Sequence, residues 1–331
     1  MSLYLHGIGH YHPETEITNQ FFEELDIGTN DEWIMERVGI RSRRTVLPLD
    51  YIRQTRNSDT RASNEAAVLT NAEAGAHAAR MAVGRAGINM NDIGLVIAGG
   101  VAPDTVSPAE SCNIANELEL EVSAFDVNSA CTSLIAAIHL LAGMRPEALP
   151  PYVLVVASER PTCSVDYNDR AGSILWGDGS AALVVSATIP GPAVLGGTRL
   201  ASSPAGCDKV VLPRTGHFRQ EGRTVQTFAI KRTTKILREM IGEYTDGERR
   251  LHFIGHQANR GMLQSVCRLT GLPEDRHHTN VEYFGNTAAA GSPSVISQRW
   301  QSWTDGDDIA VIGVGSGLTW GGFILRFGEE N

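Results

Sequence analysis

Cysteine is scarce in this sequence, and no two cysteines form a CxxC pair. The five that occur are widely separated: Cys112, Cys131, Cys163, Cys207 and Cys267. An odd number of scattered cysteines excludes a disulfide framework and favours a reducing compartment. Long apolar runs are also lacking, and the N-terminal stretch meets polar residues within ten positions, which argues against a signal peptide or membrane span there. The expected location is the cytoplasm, without a membrane partner.

Positive charge is scarce as well. The 331 residues carry a formal net charge of −10 and contain no run of five basic residues, so no nucleic-acid partner is expected. Two short basic clusters, "RSRR" at 41–44 and "KRTTKILR" at 231–238, would suit either a local anionic ligand or a solvated surface. The "HYH" at 10–12 has no partner cluster, so no metal site is predicted.

Short apolar runs alternate with longer amphipathic stretches. The runs resemble buried strands: "IGLVIAGG", "AFDVNSA", "YVLVVASE", "AALVVSAT", "LHFIGHQ", "DIAVIGVG" and "GGFILRF". Helical periodicity is present in "AEAGAHAARMAVGRAG" and "TFAIKRTTKILREMIGEY". The pattern predicts an α/β protein whose sheets are covered by helices.

The order strand, helix, strand occurs twice. "LVIAGG" from residue 95, "CTSLIAAIH" from 131 and "VLVVASE" from 153 match "FIGHQA" from 253, "NTAAAGSPSVI" from 286 and "AVIGVGSG" from 310, at offsets of 158, 155 and 157 residues. Nearly constant offsets indicate an internal duplication. A link rich in proline and small residues at 186–193 would separate the halves, 1–188 and 189–331. A pseudo-twofold relationship between them would bring Cys131, Asn286 and His256 together.

Cys131 stands where a short apolar run gives way to a helical period, in "FDVNSACTSLIAAIHLL". Unpaired N–H groups and the helix dipole favour an anion there, so the thiolate is expected at a lower pH than in a free cysteine. The sulfur would be accessible because its neighbours are small: Ser129, Ala130, Thr132 and Ser133. A thiolate attacks activated acyl groups, although this stretch alone better suits a small, buried, apolar cysteine.

His256 and Asn286 each follow an apolar run that ends in glycine, in "FIGHQANRGML" and "YFGNTAAAG". At the carboxyl ends of strands, a neutral histidine and an asparagine amide can both donate to one developing oxyanion. Taken singly, His256 would be a core histidine and Asn286 a turn residue; the repeat favours a joint role. "GVGSGLTWGG" at 313–322 matches neither GxGxxG nor GxSxG, and its N–H groups could complete an oxyanion hole beside Cys131.

The chain resembles the β-ketoacyl-acyl-carrier-protein synthase III family of the thiolase superfamily in six stretches, which occur in the family's order: "NDEWIMERVGIRSRR", "SACTS", "DRAGSILWGDGSAALVV", "GHQANR", "FGNTAAAGSP" and "GSGLTWGGFILRF". The resemblance covers almost the whole chain. It implies a thiolase-like, five-layered αβαβα fold of two pseudo-symmetric halves, and a homodimer. It also implies coenzyme A and acyl-carrier thioesters as substrates, with no cofactor and no metal.

The resemblance implies a reaction in two stages. Cys131 would take an acyl group from an acyl-coenzyme A. His256 and Asn286 would then stabilise the enolate formed when malonyl-acyl carrier protein or malonyl-coenzyme A loses carbon dioxide. The carbanion would attack the acyl-enzyme, while the backbone N–H groups of Cys131 and Ser316 hold the tetrahedral oxyanion.

The resemblance also assigns a coenzyme A site. Trp33 would stack on adenine, and Arg37 and Arg170 would lie beside the nucleotide, which suits an aromatic, phosphorylated ligand. Thr29 and Asn259 would add contacts. Without the resemblance, Trp33 would be assigned to core packing.

Several positions depart from the family pattern. The connection at 46–68 is long and polar enough for a surface flap. Ser107 aligns with an aromatic residue that often enters the partner's acyl pocket, so a longer or bulkier chain would fit. Arg260 and Gly261 replace an apolar residue followed by the arginine of carrier docking, and Ser316 replaces a frequent glycine.

The leading hypothesis is a decarboxylating Claisen condensation with a coenzyme A-linked primer. Because of Ser107 and Gly261, a second hypothesis remains open, a specialised enzyme of secondary metabolism or vitamin synthesis. Such an enzyme joins unusual acyl chains or transfers an acyl group to an alcohol or amine without decarboxylation. A non-catalytic partner subunit would be expected to lack the nucleophile, and a nucleotide-binding module would need a phosphate loop. The sequence fits neither of these.

Overall fold

The computed structural model describes residues 2–244 and 249–328. The strands in these ranges are β1 (Leu3–Tyr11), β2 (Thr15–Thr18), β3 (Ser42–Thr45), β4 (Ile93–Ala98), β5 (Ser123–Asp126), β6 (Tyr152–Glu159), β7 (Gly179–Ser186), β8 (Ala193–Ser202), β9 (Val210–Val211), β10 (Arg219–Gln220), β11 (Arg250–Gly255), β12 (Asp307–Gly315) and β13 (Thr319–Phe327). The helices are α1 (Asn19–Glu24), α2 (Asp31–Arg37), α3 (Leu49–Thr55), α4 (Thr60–Ala66), α5 (Asn71–Ala86), α6 (Glu110–Glu117), α7 (Ser133–Gly143), α8 (Gly222–Tyr244), α9 (Arg260–Thr270), α10 (Val281–Phe284) and α11 (Gly291–Gln298).

Nine of these strands form one continuous sheet, in the order β11-β12-β13-β8-β1-β7-β6-β4-β5. In the first half of the chain β4 is parallel to β6, and β6, β7 and β1 follow as antiparallel neighbours. In the second half β11 is parallel to β12, and β12, β13 and β8 follow in the same antiparallel arrangement. The sheet topology therefore contains the duplication that the sequence offsets predict. The predicted boundary at 188/189 lies in the loop between β7 and β8.

Helices cover both faces of this sheet and fill the space between its two halves. Leu95 and Ile97 of β4 share a core with α7 and α11. Val96 and Ala98, which point the other way, pack against α5 and α6. On the far side, α8 and α9 pack against β11 and β12. The layers are therefore α5–α6, a half-sheet, α7–α11, a half-sheet and α8–α9, which confirms the predicted thiolase-like αβαβα fold.

Local signals explain where these elements begin and end. The hydroxyl of Thr70 accepts the N–H of Glu73, whose carboxylate accepts the Thr70 N–H at 2.7 Å, and this capping box starts α5. The helix ends before Gly87, whose φ of 67° is easily adopted by glycine. Strand β4 is apolar at consecutive positions because helices cover both of its faces.

Two short 3₁₀ turns reveal the register of the duplication. Ala130–Thr132 leads into α7 and Ala288–Ala290 leads into α11. Ala130 and Ala288 both have left-handed backbone conformations, with φ of 49° and 45°. The counterpart of Cys131 is therefore Ala289, 158 residues further on. The sequence comparison, which paired Cys131 with Asn286, was wrong by three residues because Asn286 belongs to an extended bridge to Trp176 before the turn.

The prediction of a surface flap at 46–68 was wrong. The segment forms α3 and α4, and its Ile52 side chain is fully buried. The Asn57 Nδ2 group donates to the carbonyl oxygens of Cys163 at 3.0 Å and Val165 at 2.8 Å. Ser63 Oγ donates to the Cys163 carbonyl oxygen at 2.7 Å. Asn57 and Ser63 therefore fasten the segment to the chain that follows β6, while most of its other polar residues are exposed.

The two basic clusters differ in burial. Residues 42–45 form β3, in which Arg43 is completely buried and donates to the carbonyl oxygen of Ile174 and to Asn19 Oδ1 at 2.6 Å. This arginine is therefore part of the core, and neither a solvated face nor an exposed anion site. Residues 231–238 lie in α8, where Lys231, Lys235 and Arg238 are exposed as expected of a solvated helix face.

Candidate active site

Cys131 is held in a tight turn between β5 and α7. The Ser129 N–H donates to Ser133 Oγ at 2.9 Å, and the Thr132 hydroxyl contacts the Thr319 hydroxyl at 2.9 Å. The end of β12 passes directly beneath this turn. A Cβ on Gly315 would lie 3.1 Å from the backbone nitrogen of Cys131, so only glycine permits the approach without displacement.

The thiol of Cys131 is not an anion at neutral pH. Burial, the largest effect, and then the Glu159 carboxylate raise its pKa to about 12. The N–H groups of Cys131 and Ser316 act in the opposite direction and favour the thiolate. The expected lowering of this pKa was therefore wrong, because desolvation outweighs the helix N-terminus. The N–H of Ser316 therefore lies close to the Cys131 sulfur.

His256 immediately follows β11 and is 8% exposed. Burial lowers its pKa to about 4, so the imidazole is neutral at pH 7 and carries one N–H donor. The adjacent Gln257 anchors this chain segment. Its Nε2 donates to the Gly255 carbonyl oxygen at 2.7 Å, and its Oε1 accepts the Asn280 N–H at 3.0 Å.

Asn286 is fixed by both its backbone and its side chain. Its N–H donates to the Leu175 carbonyl oxygen at 2.8 Å, and its own carbonyl oxygen accepts the Gly177 N–H at 3.2 Å. Its side-chain Oδ1 accepts the Ala288 N–H at 3.0 Å. Since Oδ1 is engaged by the protein, the Nδ2 edge of the amide is the edge available for a ligand.

One cavity of about 620 Å³ brings the predicted residues together. Cys131, His256 and Asn286 all line it, together with Ser316. Its walls also contain apolar side chains from several elements: Trp176, Val210, Phe218, Val225, Ala229, Met262 and Val314. A thiol, two neutral donors and an apolar wall suit acyl transfer to and from a hydrophobic chain.

Trp33, Arg37 and Arg170 form one cluster on the same cavity wall. The guanidinium carbons of Arg37 and Arg170 lie 4.7 and 5.0 Å from the centre of the Trp33 ring. Arg170 also donates to the Gly28 carbonyl oxygen at 2.8 Å. Both arginines are exposed, and Trp33 is half-buried, so the cluster places an aromatic ring and two positive charges at the solvent side of the cavity.

The other predicted binding residues do not all line the cavity. Asn259 lines the cavity, but its side chain caps α9 by accepting the Met262 N–H at 3.0 Å and donates to the Arg37 carbonyl oxygen at 3.1 Å. Thr29 has a buried hydroxyl for which the described residues offer no hydrogen-bond partner. Ser107 is exposed, in the loop between β4 and α6, and is not among the cavity residues.

Sequence reasoning missed Glu159. This carboxyl group ends β6, is 1% exposed, and accepts N–H groups of Val101 and Ala289. The only signal in the sequence is a charged residue at the end of the apolar run "YVLVVASE". Trp176 and Phe218, whose ring centres are 4.4 Å apart on the cavity wall, were also missed.

Comparison with known proteins shows the family. Residues 125–204 match a family model described as 3-oxoacyl-[acyl-carrier-protein (ACP)] synthase III, and residues 250–327 match the model of its C-terminal part. The chain is 31% identical to β-ketoacyl-[acyl-carrier-protein] synthase III of Oceanobacillus iheyensis over 335 residues, which cover 99% of this chain and 100% of the relative. The chain belongs to the β-ketoacyl-acyl-carrier-protein synthase III family. It is therefore a condensing enzyme of the acyltransferase type.

Solved structures agree with this assignment. The 3-oxoacyl-[acyl-carrier-protein] synthase III of Aquifex aeolicus superimposes with a TM-score of 0.86 at 26% identity, covering 98% of this chain and 100% of that one. The priming β-ketosynthase of the R1128 polyketide biosynthetic pathway gives a TM-score of 0.81 at 27% identity, covering 98% and 96%. In the chain itself, none of the described helices is long and apolar enough to cross a membrane.

Proposed function

We propose that this enzyme loads an acyl group from an acyl-coenzyme A onto Cys131 and condenses it with a malonyl thioester. The observation that carries the proposal is the single cavity that contains Cys131, His256 and Asn286, with the Trp33–Arg37–Arg170 cluster on its wall. An aromatic ring flanked by guanidinium groups suits a phosphorylated nucleotide. The apolar wall suits the acyl chain.

In the first stage the sulfur of Cys131 forms a bond to the acyl carbon while the bond from that carbon to coenzyme A breaks. Because the pKa of Cys131 is raised to about 12, the proton leaves the thiol as attack proceeds and departs with coenzyme A. The thioester oxygen carries the transient negative charge. The N–H groups of Cys131 and Ser316, which also favour the thiolate, are the donors that stabilise this oxyanion.

In the second stage a malonyl thioester replaces coenzyme A. The bond between its α-carbon and its carboxylate breaks, carbon dioxide leaves, and the electron pair delocalises onto the thioester oxygen as an enolate. The neutral His256 and the Nδ2 group of Asn286 donate to that oxygen, at about 3 to 4 kcal/mol of transition-state stabilisation each. The α-carbon then attacks the acyl carbon, and Cys131 leaves as the thiolate and takes up a proton from solvent.

The proposal extends to substrates and assembly. The malonyl group is carried by acyl carrier protein or coenzyme A, and the reaction needs no cofactor or metal. Thr29, whose hydroxyl has no hydrogen-bond partner among residues 2–244 and 249–328, and Asn259 add contacts to coenzyme A. The enzyme acts in the cytoplasm as a homodimer of chains with halves 1–188 and 189–331, in which the exposed Ser107 borders the partner's acyl pocket and leaves room for a large chain.

A second candidate function shares the first stage. Ser107 and Gly261 depart from the family pattern, and the chain is also similar to a priming ketosynthase of a polyketide pathway. These observations favour a specialised synthase that joins unusual acyl chains, or that transfers the acyl group to an alcohol or amine without decarboxylation. The two candidates differ in whether the acyl-enzyme requires a malonyl donor for its discharge.

The test is intact-protein mass spectrometry after brief incubation with short, medium, long, branched and aromatic acyl-coenzyme A esters. We expect one acyl mass increase that is lost in Cys131→Ala and kept in Cys207→Ala, which removes an exposed cysteine instead. Malonyl-acyl carrier protein or malonyl-coenzyme A should then discharge the adduct with release of carbon dioxide. Discharge by an alcohol or amine alone would select the second candidate. Absence of loading from every ester would overturn the proposal.

A further inference from the structure

Glu159 is a buried carboxyl group that binds backbone from both halves of the chain. Its Oε2 and Oε1 accept the Val101 N–H at 2.9 and 3.1 Å, and its Oε1 also accepts the Ala289 N–H at 3.1 Å. Val101 belongs to the first half and Ala289 to the second. A side chain that is 1% exposed at this junction is not a surface charge, and the reaction outlined above assigns it no role.

The bond to Ala289 connects Glu159 with Asn286. Ala289 lies in the 3₁₀ turn Ala288–Ala290, and the N–H of the preceding Ala288 donates to Asn286 Oδ1 at 3.0 Å. The carboxyl group therefore fixes the turn, and the turn fixes the orientation of the Asn286 amide. A turn that loses its anchor would also release the N–H that keeps the Oδ1 atom out of the cavity.

The internal duplication explains why a carboxyl group occupies this place. With the offset of 157 residues between β6 and β12, the counterpart of Glu159 is Ser316. At one contact between the halves, the N–H of Ser316, directly after β12, faces the sulfur of Cys131. At the equivalent contact, the carboxyl group of Glu159 accepts the N–H of Ala289, the counterpart of Cys131. The carboxyl group of Glu159 thus lies where, in the other copy, an oxyanion would accept the N–H of Cys131.

We propose that Glu159 is a positioning residue for the condensing reaction, which holds the Asn286 amide toward the cavity through the Ala288–Ala290 turn. The inference rests on the proposed function and adds a residue to its second stage. It predicts that decarboxylation, which uses Asn286, depends on the acceptor oxygens of Glu159. Loading of Cys131, which does not use Asn286, depends on them much less.

The charge of Glu159 gives a second readout. Burial raises its pKa to about 8, opposed by the N–H groups of Val101 and Ala289 and supported by Asp178 and Glu110. The charged form raises the pKa of Cys131. As the pH increases through 8, Glu159 ionises, and its charge should slow the loading of Cys131. Asp178 and Glu110, with pKa values of about 6 and 7, ionise first and are common to wild type and Glu159 variants.

The experiment compares Glu159→Gln with Glu159→Met. Glutamine keeps an acceptor oxygen for Val101 and Ala289 and removes the charge, whereas methionine has a similar length and no such oxygen. Loading is followed by intact mass, and carbon dioxide release is measured in a single turnover on enzyme that already carries an acyl group. We expect Glu159→Met to lower release about 100-fold with loading within about 3-fold, and Glu159→Gln to stay within about 3-fold in both.

The control for general destabilisation is Asp308→Asn. Asp308 is fully buried at the start of β12 and pairs with Arg249 and Arg326. Its substitution should lower the melting temperature and leave the ratio of the two rates unchanged. A parallel loss of both rates in Glu159→Met, or no recovery in Glu159→Gln, would overturn the inference.

The pH profile provides a second test, which is made on the glutamine variant. The loading rate of Glu159→Gln relative to wild type should rise between pH 7 and 9, because only wild type gains the charge. A constant ratio, together with normal release in any folded methionine variant, would assign Glu159 to structure alone. A wild-type enzyme that neither loads nor releases carbon dioxide would overturn the proposed function itself, a result distinct from either outcome above.

Discussion

Ala289 occupies, in the second half of the chain, the position that Cys131 occupies in the first. Each is the middle residue of a 3₁₀ turn, and each follows an alanine with a left-handed backbone, at φ of 49° and 45°. An alanine in this conformation is unfavourable by about 1 to 2 kcal/mol, so its retention in both copies indicates that the turn itself is needed. One copy carries the proposed nucleophile, and the other donates an N–H to the side-chain oxygen of Asn286.

Gly315 should be needed for fast loading of Cys131. A methyl group at this position would lie 3.1 Å from the Cys131 nitrogen and 3.3 Å from its Cβ, so Gly315→Ala must displace the nucleophile turn. We expect loading of Cys131 to slow about 10-fold, because small misplacements of reacting groups are costly. The control is Gly84→Ala in α5, where a Cβ meets nothing within 4 Å, and which should load normally. Equal loading rates in both variants would contradict the expectation.

Replacement of His256 should separate the two stages. We expect His256→Ala to lower carbon dioxide release by about 100- to 1,000-fold, the effect of losing an oxyanion donor, while Cys131 still loads. Since the pKa of His256 is about 4, its N–H donor state stays the same between pH 5.5 and 8, and this residue should add no inflection to the wild-type rate there. The exposed His139 on α7 provides the control variant His139→Ala. An inflection near pH 6.5 that His256→Ala removes would contradict this assignment.

The Trp33–Arg37–Arg170 cluster should act in binding and not in chemistry. We expect Trp33→Ala or Arg170→Ala to raise the KM for acyl-coenzyme A about 3- to 30-fold with little change in kcat, as the loss of a stacking and cation–π contact predicts. The matched control is a substrate: a short acyl thioester without the nucleotide should react equally with wild type and variants. A similar loss with the short thioester would show that the cluster supports the fold of the site instead.

Buried carboxyl groups should make stability depend on pH. The folded-state pKa of Glu159 is raised from 4.5 to about 8, so its contribution is complete below pH 4.5 and disappears as the pH rises through 8. Glu159→Gln should remove this component, of up to about 1.4 kcal/mol per pH unit, from the decline in unfolding free energy. Urea unfolding of both proteins at pH 5, 6, 7 and 8 measures the difference. Parallel curves would show that Glu159 takes up no proton on folding.

Much of the fold could be predicted from the sequence because the spacing of apolar residues indicates strands and helices directly. Continuous apolar runs identified strands such as β4 and β6, and the helical period identified α5. His256 could be selected because it follows a strand, and strand ends of α/β proteins converge at one edge. The same argument was wrong for Asn286, which follows the helix α10 and not a strand. The comparison of offsets failed at Asn286, which lies three residues before Ala289, the true counterpart of Cys131, and bridges to Trp176.

The parts that sequence could not supply depend on what surrounds a group after folding. The pKa of Cys131 is raised because burial and Glu159 outweigh its helix, and neither effect is visible in "SACTS". Arg43, in a run of basic residues, gives no sign that Asn19 and Ile174 enclose it. Glu159 was missed because its partners, Val101 and Ala289, lie far from it along the chain.

The junction of the two half-sheets, where β1 pairs with β8, limits which parts of the site can change. Residues 3–5 of β1 pair with residues 193–195 of β8, so any hinge between the halves would break sheet hydrogen bonds. The segment with the two-residue strands β9 and β10, in contrast, contributes Val210, Phe218 and Gln220 to the cavity wall and lies outside the main sheet. Exchange of that segment would therefore change the cavity wall without disturbing a strand of the main sheet.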